Sequence, residues 1–70
     1  LEHVNEIKAA LFSLGEHHHE LGVTPAMYDA FIDTIVEAAD YASNSTLTES
    51  ERQTWEKAYR EMADIMLDAY

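Results

Sequence analysis

Cysteine is missing altogether from these 70 residues, so disulfides, zinc–thiolate centres and thiol catalysis are excluded. Proline occurs once and glycine twice, which leaves few places where a helix must stop. Basic residues are scarce. Four Lys or Arg face fourteen Asp or Glu, for a net charge of −10, which argues against nucleic acid or an anionic membrane surface as a partner. No apolar run approaches the ~20 residues that span a bilayer, and no charged-then-apolar leader opens the sequence. The acidic bias and the lack of cysteine fit a cytoplasmic module. What remains is 47% hydrophobic and 10% aromatic, a globular composition. A chain this short buries only about 60% of its unfolded surface, so a cofactor or partner is a natural source of extra stability.

The fold class is read as all-α, with three helices at about 2–21, 25–42 and 48–69. In the first, Val4, Ile7, Leu11, Leu14, His18 and Leu21 alternate steps of three and four and share one face. Gly22 is placed as a left-handed stop. Thr24-Pro25 reads as an N-cap with proline at the first helical position. The second helix carries a broad stripe of Met27, Tyr28, Phe31, Ile32, Ile35, Val36 and Ala39, and fades into a loop around Tyr41 to Asn44. Both Thr46 and Thr48 fit a Thr-x-x-Glu capping box, and Thr48 is preferred because it puts Glu49 and Glu51 in the positive first turn. Trp55, Ala58, Tyr59, Met62, Ile65, Met66 and Ala69 form the third stripe, with Arg52–Glu56 and Lys57–Glu61 spaced for ion pairing. The connections are expected to be about three to five residues long.

Three of the four histidines are consecutive. Neighbours on a helix point about 100° apart, so His17, His18 and His19 cannot converge on one ion, and no pair has the four-residue spacing that zinc favours. His17 and His19 read as solvated surface. His18 alone continues the apolar stripe, either as a core histidine bonded to a carbonyl or as an iron ligand with its other nitrogen held by a neighbour.

The run from Leu14-Gly15 through His18, Gly22-Val23 and Tyr28 resembles the proximal haem segment of the globin family, whose pattern is Leu-Gly-x-x-His, Gly-Val, and an aromatic ten residues past the histidine. Thr48, Trp55, Tyr59 and Met66 are similar to the third-helix pattern of bacterial single-domain and neuroglobin-like chains. The resemblance covers about 55 residues and implies the F, G and H helices, the C-terminal half of a globin fold, with haem as cofactor. It makes His18 the proximal iron ligand, with Leu14 at the haem edge and Val23 packed against the ring. Tyr28 and Phe31 would continue the pocket, Met62 and Met66 would floor it, and His17 would lie near a propionate. Bacterial members add a glutamate that joins Tyr28's counterpart in a proximal cluster. Here that position falls at about Tyr70, so the strongly electron-donating cluster is not expected.

A full globin is roughly twice this length. The resemblance therefore implies a partial globin-like domain over residues 1–70, with its distal pocket supplied by a missing N-terminal half or a second chain. The implied function is binding a diatomic gas, in O₂ transport, storage or sensing. A haem-free acidic helical interaction or sensor module is the alternative, suited to a basic partner. No nucleophile triad, phosphate loop or dinucleotide fingerprint is present, so any enzymatic role would have to come from the haem. The carboxylate pairs Asp29/Asp33 and Glu16/Glu20 read as solvated faces.

Overall fold

A computed structural model describes residues 2–70, which form three α-helices: α1 (Glu2–Glu20), α2 (Pro25–Ala42) and α3 (Glu49–Leu67). The expected all-α class and the three helices are present, with ends within two residues of those expected. Thr48 caps α3 in a full capping box. Its hydroxyl accepts from the Glu51 N–H at 3.1 Å, and the Glu51 carboxylate accepts from the Thr48 N–H at 3.0 Å. Thr24 stands at the start of α2 with extended backbone, but its hydroxyl caps nothing. The Met27 N–H bonds to the Thr24 carbonyl instead, at 3.0 Å.

α3 is the element that joins the other two. It packs on both, whereas the α1 and α2 backbones do not come close to each other among the described residues and only side chains such as His18 and Tyr28 approach across the gap. Two ion pairs show α2 and α3 running antiparallel: Asp29 with Arg60 at 2.6 Å, and Asp40 with Arg52 at 3.4 Å. These replace the expected Arg52–Glu56 and Lys57–Glu61 pairs, which are not among the ion pairs of the described residues. Asp29 is likewise a cross-helix partner and not merely solvated. Exposed pairs of this kind contribute about 0–1 kcal/mol each, so they orient more than they stabilise.

The core lies along the α2–α3 seam. Tyr28, Ile32 and Val36, at steps of four, bury one edge of the broad α2 stripe against Ala63. Burying an aliphatic side chain of this size contributes roughly 1.5–3 kcal/mol. Ala63 lies outside the third-helix stripe read from the sequence, and Ala58, placed in that stripe, is exposed. A small side chain gives little periodic signal, yet it lets α2 approach closely.

α1 meets α3 at Gly15. A Cβ there would lie 2.1 Å from the Met66 carbonyl oxygen, so the two backbones touch where only glycine fits. The assembly is flat, 36 × 32 × 15 Å, with a radius of gyration of 13.6 Å against about 11 Å for a compact chain of this length. The 43–48 connection is six residues, longer than expected. Asn44 and Ser45 both take positive φ there, 58° and 59°.

Candidate functional site

Because α1 and α2 stand apart, a cleft of about 500 Å³ opens between them over α3. Its lining is almost wholly apolar. Leu11, Leu14 and His18 come from α1, Val23 from the turn, and Met27, Tyr28, Phe31 and Ile32 from α2. Tyr59, Met62, Ala63 and Met66 form the floor. Seven of the eight residues singled out in the sequence therefore converge: Leu14, His18, Val23, Tyr28, Phe31, Met62 and Met66. His17 does not line the cleft and is exposed. Leu11, Met27, Ile32 and Tyr59 belong to the stripes already read, so the signal for them was present. Nothing in the sequence marked Ala63.

The three adjacent imidazoles go to three surroundings. His17 faces solvent, His19 stacks on the Tyr70 ring with centroids 4.5 Å apart, and His18 is half-buried in the cleft wall. His18 Nδ1 lies 2.7 Å from the Leu14 carbonyl oxygen. A carbonyl only accepts, so Nδ1 carries a proton, and in the neutral ring the lone pair then belongs to Nε2. That is the tautomer a metal ligand needs, oriented by a backbone group one turn away.

The end of α1 fixes this residue further. Gly22 takes φ +84°. The Val23 N–H donates to the His18 carbonyl and the Gly22 N–H to the His19 carbonyl, both at 3.0 Å, which is the Schellman pattern. The left-handed stop expected at Gly22 therefore ties Val23 directly to His18, and both line the cleft.

Tyr70 completes the site from the other end of the chain. Its hydroxyl lies 2.6 Å from the Val23 carbonyl oxygen and 3.2 Å from the Tyr28 hydroxyl. A phenol has one proton to give. The shorter contact takes it, so Tyr70 donates to Val23 and accepts from Tyr28. Burial first, then the hydrogen bond and charge interaction with Tyr70, push the Tyr28 phenol up to about 12. Tyr28 also meets the His18 ring, with centroids 6.1 Å apart. The contact between Tyr28 and Tyr70 was not foreseen; positions 42 apart carry no shared periodicity.

Fold and cleft together define a helical protein with an apolar slot and one imidazole in its wall. The globin family model matches residues 1–66, and the chain belongs to the globin family. No curated protein and no solved structure matches it. Among the described helices, none is long and apolar enough to cross a membrane.

Proposed function

We propose that this chain is the proximal part of a haem-binding globin module for a diatomic gas, with His18 as the iron ligand. One observation carries the reading: His18 projects from the wall of an apolar cleft with Nδ1 bonded to the Leu14 carbonyl, which leaves Nε2 for the metal. Globin iron is held by a proximal histidine, and the residues here suit that group. Leu14, Val23, Phe31, Met62 and Met66 would face the porphyrin and keep water from it. Tyr28 closes the inner end, and His17 sits outside, where a propionate would emerge. When bound, haem supplies the iron at which the gas is taken up.

The finer parts of the reading rest on the motif pattern. Residues 1–70 correspond to the F, G and H helices, in the manner of bacterial single-domain and neuroglobin-like chains, acting in the cytoplasm in O₂ transport, storage or sensing. The distal face comes from a globin N-terminal half or from a second chain. Tyr70 meets Tyr28 where a carboxylate would stand in a strongly donating proximal cluster, which favours reversible gas binding over peroxide chemistry.

Titration of haem into the chain, read by visible absorbance in the reduced and CO-bound states, tests the assignment. A saturable, sharp Soret band that disappears in His18→Ala, with helical circular dichroism retained, is the expected result. Haem uptake that is indifferent to that substitution would defeat it and leave the haem-free interaction module, which the large exposed apolar surface would then serve.

A further inference from the structure

We infer that Met62 and Met66 are sites of reversible sulfoxidation by hydroperoxides, and that their oxidation keeps the cleft from taking up haem. The uptake part rests on the haem-binding reading above. The chain has no cysteine and three methionines, and all three line this one cleft. Its whole stock of oxidisable sulfur therefore faces the slot. Reach does not depend on what covers the lip, because a slot that admits a porphyrin admits a peroxide beforehand.

The step balances with the peroxide alone. The thioether sulfur attacks one peroxide oxygen, and an S–O bond forms as the O–O bond breaks. The proton on the transferred oxygen passes to the departing one. Sulfur loses two electrons, and the rest of the hydrogen peroxide leaves as water. A flexible apolar side chain thereby becomes a polar one.

Position decides which sulfurs matter. Met62 and Met66 stand one turn apart on the floor and are half-buried, with Met66 packed against the α2–α3 core. The Met66 backbone touches Gly15, three residues before His18, so this part of the floor cannot withdraw from the wall that carries the histidine. A sulfoxide oxygen there needs hydrogen-bond donors. The His18 Nδ1–H is committed to the Leu14 carbonyl, and the Tyr28 hydroxyl to Tyr70. Beneath a porphyrin, water would not reach it either, and an acceptor buried without a partner is costly. Met27 differs. It stands at the lip and is 53% exposed, so its sulfoxide can turn to water. Packing alone needs only volume and apolarity, which leucine supplies about equally well, and that separates packing from oxidation.

The test is haem titration of the full 70-residue chain, untreated and after hydrogen peroxide, with mass spectrometry locating each added oxygen. Oxidation at Met62 and Met66 should weaken haem uptake by about tenfold with the helical signal retained, and methionine sulfoxide reductases should restore it. The double variant Met62→Leu/Met66→Leu should take up haem alike before and after peroxide, whereas Met27→Leu should stay sensitive. Equal uptake by the oxidised and untreated chains overturns the proposal and leaves the assignment of His18 intact. So does a peroxide effect that persists in the leucine pair or comes with loss of helix. No saturable uptake by the untreated chain overturns both.

Discussion

The Tyr70 hydroxyl donates to the Val23 carbonyl across 47 residues of sequence, at 2.6 Å. This one bond connects Tyr70 to the turn that follows the helix bearing His18. Tyr70→Phe keeps the ring that stacks on His19 and removes only the hydroxyl. The loss expected is about 1 kcal/mol of unfolding free energy, read from the midpoint of a urea transition. An unchanged midpoint would mean that water satisfies the Val23 carbonyl equally well.

Stability should fall in alkali for a specific reason. Tyr28 titrates near 12 in the folded chain against its ordinary value of 10, so its contribution is fully present below pH 10. As pH rises from there through 12, the unfolded chain releases the proton first, and that contribution is lost. Chemical denaturation at stepped pH, with phenolate absorbance followed in parallel, should show this slope in the wild type and a shallower one in Tyr28→Phe. Equal slopes would remove Tyr28 from the account.

The two glycines fail in different ways when substituted. At Gly15 a methyl group meets the Met66 backbone carbonyl, which cannot rotate aside. Gly15→Ala should destabilise by about 1–3 kcal/mol through overpacking, offset by up to ~1 kcal/mol of helix propensity. Thermal melting followed by helical circular dichroism checks the net loss. A stabilised variant would show that α1 and α3 do not approach as closely as described.

Gly22 is surrounded by open space, so only its φ of +84° resists a side chain. Gly22→Ala should cost about 1 kcal/mol, and Gly22→Asn less, because asparagine tolerates the left-handed region. Because the turn is tied to His18, the haem-binding reading proposed above expects the alanine variant to release haem faster as well. Similar stabilities for the two variants would point away from backbone conformation as the cause.

Much of this arrangement was legible from local pattern. The Gly22 stop and Thr48 with Glu51 act within a few residues of themselves, where capping chemistry is decisive, and the Leu11–Leu14–His18 part of the first stripe lines the cleft, whereas Val4, Ile7 and Leu21 of that stripe are exposed. The cleft residues were legible for the same reason, since a slot between helices is lined by the helices' own apolar faces. Ion pairing was not. Arg52 chose Asp40 over Glu56 because two helices packed side by side offer an acceptor that a single helix reading does not contain.

By itself, then, the sequence determined three helices, their ends, their greasy sides, and the one histidine among three that belongs on such a side. The tertiary structure alone decided which faces meet. It set α3 between α1 and α2, brought Gly15 onto the Met66 carbonyl, and drew Tyr70 onto Val23 and Tyr28. The physical reason is range. Capping and periodicity are set by neighbours three or four residues away, whereas a contact between positions 23 and 70 exists only once packing has put both at the same corner.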